Sequence, residues 1–173
     1  MGGATSIALA RELSPLMTGF LLAARAGSAI TAELSTMKVN EQIDAMEAMA
    51  VEPIHYLVVP RVIAGMVIAP LLCGLFTFVG VLGAFVMGVI LFDVDQGVFF
   101  DRIPALAEPK DVFLGLQKAV VFGGIVTSLA CRYGLSASGG AKGVGQATTT
   151  SVVMSLLTLL GFDAIITYLQ LVD

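Results

Sequence analysis

Tryptophan is absent, histidine occurs once, and charged residues fill only 13% of the 173 positions, whereas a soluble domain devotes about a quarter to charge. The lone His55 leaves no second imidazole for a metal centre and no partner for a nucleophilic relay. Cys73 and Cys131 both sit inside apolar runs, so they read as small buried hydrophobes rather than as a disulfide or a metal pair. No run of Lys/Arg exists to neutralise a phosphate backbone, and the formal net charge is -4, which argues against nucleic acid. A charged leader followed by a short apolar core and a cleavage site is also missing, so insertion is expected to use the chain's own long apolar segments.

What is present in excess is oil. Hydrophobic residues make up 57% of the chain and the mean hydropathy is +0.95. These values predict an all-α, polytopic helical membrane protein, one transmembrane domain over residues 1–173. Apolar segments at about 13–34, 57–92, 112–133 and 148–171 are each long enough to cross a hydrocarbon core of ~30 Å. The second is too long for one perpendicular crossing and must tilt, kink or protrude. Pro60 and Pro70 offer kinks, while a re-entrant hairpin is the rival with no polar turn to support it. Residues 93–111 mix acids and prolines and read as a loop outside the hydrocarbon. The stretch GLSASGGAKGVGQ reads as a glycine-rich turn, with Thr and Ser capping the last span. Arg25, Gly27 and Ser28 fall in a part of the first span rich in small residues, expected to pack on protein, with Arg25 bonding to polar groups of a neighbouring helix.

Between the first two spans lies STMKVNEQIDAMEAMAVEP, holding four of the thirteen carboxylates. Read as a helix over about 38–50 with Asn40 as its N-cap, it places Val39, Ile43, Met46 and Ala50 on one side. Glu41, Asp44 and Glu47 fall mostly on another. Lipid-surface helices usually carry Lys/Arg on the polar face, so a protein partner suits this acidic element better than headgroups do. Basic residues divide evenly between the two ends of the spans, which leaves orientation open on charge alone.

The stretch RELSPLMTGFLLAARAGSAITAELSTMKVNEQIDAMEAMAVEPIHYLVVPRVIAG, with GGAKGVGQATTTSVV near the end, resembles the permease subunit of the MlaE family, the membrane component of ABC-type phospholipid transporters. The resemblance covers nearly the whole chain. It implies a homodimeric permease in a bacterial inner membrane, helping to maintain outer-membrane lipid asymmetry. Force would come from a separate cytosolic ABC ATPase that carries ATP and Mg; no cofactor is expected in this chain and no metal. A periplasmic MCE-domain protein and often a small STAS-domain subunit are the further partners it implies. By the same resemblance the short acidic helix is a coupling helix, with Lys38, Glu41, Gln42, Asp44, Met46 and Glu47 at the ATPase. That helix and the glycine-rich turn then face the cytosol, while residues 93–111 and both termini face the periplasm. Family members also show an interfacial helix and one further span ahead of RELSP that this sequence does not show.

Helical rise puts Lys118 and Asp163 ~9 to 12 Å below the outer boundary, close enough to pair, with Arg11 and Glu12 slightly above. One reading is mutual neutralisation that locks helix packing. The other, favoured by the resemblance, is a polar collar of Arg11, Glu12, Leu13, Lys118 and Asp163 where lipid headgroups rest above an apolar cavity. Alternatives from other classes are an ion-coupled secondary transporter, which needs ionisable groups near midplane, and a membrane scaffold without substrate.

Overall fold

A computed structural model describes residues 9–91 and 109–172. Most of the expected 93–111 loop and both chain ends therefore lie outside the described residues. Five helices are seen among those described. Helix α1 covers residues 9–39 as consecutive segments, Leu9–Leu13, Ser14–Leu22, Ala23–Gly27 and Ser28–Val39, the first and third wound with π-type turns. Helix α2 is the short Gln42–Ala48, and α3 covers residues 54–91, with π-type turns at Ile54–Val58 and Val86–Leu91 flanking Val59–Phe85. Helices α4, Pro109–Leu135, and α5, Gly140–Val172, complete the set. All but α2 are long and apolar enough to cross a membrane. The described chain is thus an all-α, polytopic bundle, as its composition requires: in hydrocarbon a helix satisfies its own backbone polar groups.

Helix α3 runs unbroken past Pro70, so no hairpin divides it. Helix α5 begins at Gly140, eight residues before the expected 148. The glycine-rich stretch contains no proline, and Gly is costly but tolerated in a helix; the turn shrinks to residues 136–139. Gly139 and Gly140, with φ of 90° and 67°, make that reversal where a side chain would be strained. Thr148 and Thr149 consequently sit inside the helix and donate back to the carbonyls of Val144 and Gly145 at 2.8 and 3.0 Å. They are not caps.

Helices α1 and α4 form the centre of the bundle, each 39% buried over its apolar window against 17% for α3 and 11% for α5. Between apolar helices in lipid, close backbone approach rather than water exclusion drives packing, and small residues permit it. Such an approach joins α3 to α4: a Cβ on Gly123 would fall on the Gly65 carbonyl and lie 2.7 Å from the Ala69 Cβ. Gly27 sets α1 against Val126 and Ala130 of α4, and Gly134 lets Leu34 press on α4. Leu22, Ala23, Ala69, Phe122, Val126 and Leu159 form the main core, with a second cluster of Leu34, Ile43, Leu57 and Cys131 at the α2 end. One buried polar tie crosses three helices: Thr31 Oγ1 lies 2.9 Å from Ser151 Oγ and 3.1 Å from the Ala130 carbonyl.

Candidate functional site

The chain alternates direction, so its charged residues collect at the two ends of the bundle. At the end away from α2, the α4 residue Lys118 is only 1% exposed. Its ammonium donates to Glu12 Oε2 of α1 at 2.8 Å, to Asp163 Oδ1 of α5 at 3.2 Å and to Thr167 Oγ1 of α5 at 2.7 Å. Three acceptors match the three N–H donors of a lysine, which is how a buried charge is made tolerable. Thr167 in turn donates to Glu12 Oε2 at 3.1 Å. Glu12 and Asp163 remain partly open, with side chains 39% and 18% exposed.

The expected meeting of Lys118 and Asp163 is therefore present, and Glu12 joins it. Arg11 does not. Its guanidinium faces Asp111 at 3.6 Å, both partly exposed. The loop assignment of Asp111 is corrected by the structure: Pro109 opens α4 and places Asp111 in its first turn, where a carboxylate suits the helix dipole. Leu13 lies beside this cluster with half its surface open. Thr167 was missed by the sequence reading, although it stands one turn beyond Asp163 and so on the same face.

The opposite end carries α2. Asn40 ends α1 instead of starting the next helix, and Glu41 occupies the preceding position of α2 with φ of 59°. Lys38 accordingly belongs to α1, and it reaches across the joint to Asp44 at 2.6 Å. Ile43 is buried and Met46 half-buried against Leu34, Leu57 and Cys131, which pins α2 to the bundle by the apolar side the sequence predicted. Ala50, assigned to that side, is exposed instead, because α2 stops at Ala48 and the chain turns at Ala50 with φ of 59°. Glu41, Gln42, Asp44 and Glu47 stay exposed. Beside α2 opens a cavity of about 580 Å³ lined by Ile43, Glu47, Val51, Pro53, Ile54 and Leu135 among others. Also near this end, Arg61 of α3 binds Glu33 of α1 at 2.8 Å, a tie not foreseen from the sequence.

Two packing assignments change. The side chain of Arg25 is exposed, with no hydrogen-bond or ion-pair partner among the described residues, and it borders the groove between α1 and α3. Ser28 bonds within its own helix, to the Ala24 and Arg25 carbonyls at 2.6 and 3.1 Å; only Gly27 packs across helices as expected. No cluster of His, Cys, Asp and Glu that could hold a metal occurs among the described residues.

The described residues thus form a multi-pass helical bundle with a buried charge network at one end and an exposed acidic helix at the other. The sequence profile of the permease MlaE family matches residues 1–169, and the chain belongs to that family. It is 45% identical over 159 residues to a probable ABC transporter permease protein of Synechocystis, covering 92% of this chain and 60% of that protein. A probable ABC transporter permease protein of Rickettsia prowazekii is 40% identical over 163 residues, 94% of this chain and 63% of its own length. The chloroplastic protein TRIGALACTOSYLDIACYLGLYCEROL 1 of Arabidopsis thaliana is 37% identical over 166 residues, 96% of this chain and 47% of its own. The chain thus spans about three fifths of the length of the first two relatives.

Proposed function

We propose that this chain is the membrane-spanning permease subunit of an ATP-driven phospholipid transporter, performing no bond chemistry itself. The observation that carries the reading is the division of charge between the ends of the bundle. Lys118, Glu12, Asp163 and Thr167 form a polar mouth at one end. At the other, α2 presents Glu41, Asp44 and Glu47 to a partner while Ile43 anchors it from beneath. Relatives named as ABC transporter permeases support an ATPase partner, on which ATP and Mg would be bound. Docking of that ATPase on α2 would move α1 and α3 and so change the mouth, where headgroups rest with acyl tails below.

In this reading two copies of the chain work together in a bacterial inner membrane, with α2 in the cytosol and the Lys118 end facing the periplasm. Lipid passes to or from an MCE-domain carrier, which serves outer-membrane asymmetry, and a STAS-domain subunit accompanies the ATPase. The experiment is co-purification of the ATPase with the Asp44→Lys, Glu47→Lys double variant. Reversing two exposed charges should abolish capture while leaving the helical bundle intact, and undiminished capture removes α2 from the docking role. Native mass spectrometry of the purified complex should show bound phospholipid, and its absence would remove lipid as the cargo.

A further inference from the structure

Lys118 has no donor to spare. Its side chain has no exposed surface, and its three N–H groups are taken by Glu12, Asp163 and Thr167, the full donor count of a lysine. A phosphate can reach this cation only by replacing one of the three acceptors. Further protein packed against the cluster would not alter that count.

The three acceptors are not held alike. Glu12 Oε2 takes two donors, the ammonium at 2.8 Å and the Thr167 hydroxyl at 3.1 Å. Because the Thr167 oxygen accepts from Lys118 at 2.7 Å, its own proton is directed away from the ammonium and on to Glu12. Asp163 holds Lys118 through one bond of 3.2 Å, longer than the about 2.7–2.9 Å of a charge-assisted N–H···O pair. Thr167 stands one turn from Asp163 on the same face of α5, so α5 stays tied to the ammonium through the hydroxyl after the carboxylate moves aside. Asp163 is therefore the acceptor that can be exchanged and Glu12 the one that stays.

Charge decides what can take the place of Asp163. Two carboxylates against one ammonium leave one negative charge in excess, and the neighbouring pair of Arg11 and Asp111, 3.6 Å apart, adds none. A phosphate diester arriving alone would double that excess, a repulsion that low dielectric strengthens. A headgroup that also bears an ammonium brings no net charge, and its cation gives the displaced Asp163 a new partner.

We propose that the cluster exchanges partners with a zwitterionic phospholipid: the lipid phosphate replaces Asp163 on Lys118, and the freed carboxylate takes the headgroup ammonium. Glu12 and Thr167 hold α1 and α5 to Lys118 while this happens. The proposal rests on the lipid-transport reading and adds to it a choice of headgroup, zwitterionic over anionic.

The test is ATP-dependent transfer by the reconstituted complex from vesicles holding equal amounts of phosphatidylethanolamine and phosphatidylglycerol with identical acyl chains. The unmodified complex should move the ethanolamine lipid roughly tenfold faster, the worth of one charge-assisted hydrogen bond. Asp163→Asn keeps the size of the side chain without its charge and should bring the ratio close to one, whereas a preference imposed by another subunit would persist in both complexes. N-acetyl-phosphatidylethanolamine keeps the phosphate and the spacing but not the cation. The unmodified complex should move it no faster than phosphatidylglycerol, a result independent of how well any variant folds. Equal transfer of the ethanolamine and glycerol lipids by the unmodified complex would overturn the exchange and leave lipid transport standing. A preference that survives Asp163→Asn or N-acetylation would overturn it too. Absence of ATP-dependent transfer of either lipid would remove the transport reading, and the exchange with it.

Discussion

Lys118 is a buried cation on which three polar interactions converge. Its ammonium ties α1, α4 and α5 through Glu12, Asp163 and Thr167, so truncation leaves two carboxylates facing each other without a cation. Lys118→Met, which keeps the apolar stem, is expected to destabilise the protein by about 3 kcal/mol, read as a lower thermal transition in detergent. Adding Glu12→Gln and Asp163→Asn should recover more than half of that loss, because the remaining hydrogen bonds no longer carry charge. If Lys118→Met alone leaves the transition unmoved, the cluster does not hold the helices together. Three members of this group, Glu12, Lys118 and Asp163, were legible in the sequence because depth follows from counting residues along a helix. Thr167 was not, since a lone hydroxyl in an apolar run gives no signal until its neighbour one turn away is known to matter. The side chain of Arg25 finds no such tie among the described residues, where it borders the groove between α1 and α3.

At the scale of the elements, the α3–α4 crossing depends on two glycines whose backbones touch. Gly123→Ala would drive a methyl into the Gly65 carbonyl, a backbone atom that cannot rotate away. Separation of the two helices and a loss of about 1–3 kcal/mol is expected, visible as reduced yield and a lowered transition. Gly74→Ala, on the same α3 but with no atom near its added methyl, should be neutral or slightly stabilising, as Ala favours a helix over Gly; equal damage from both would mean that the crossing is not what matters. The four long helices could be read directly, because length and apolarity decide them. Their ends could not. Pro109 starts α4, as its fixed φ allows at a first helical position, and Gly140 starts α5 inside what resembled a flexible turn. Each end is set by neighbouring packing that composition does not encode.

For the molecule as a whole, the proposed function requires that work applied at α2 reach the Lys118 cluster at the opposite end. Glu41 and Ala50, at either side of α2, both hold positive φ without being glycine, conformations that cost roughly 1–2 kcal/mol each relative to ordinary helical geometry. Lys38 bridges the first of these bends and the Ile43 side chain is sunk into the bundle. Glu41→Gly with Ala50→Gly should alter overall stability by less than ~1 kcal/mol, since strain is relieved while chain entropy is lost. It should nevertheless lower the number of lipids moved per ATP hydrolysed by the reconstituted complex; an unchanged ratio would show that these bends play no mechanical part. Under the proposed docking of a partner on α2, such paired elbows would act as a crank with locked knuckles: a shove on its handle would swing the two attached shafts together instead of being swallowed by slack.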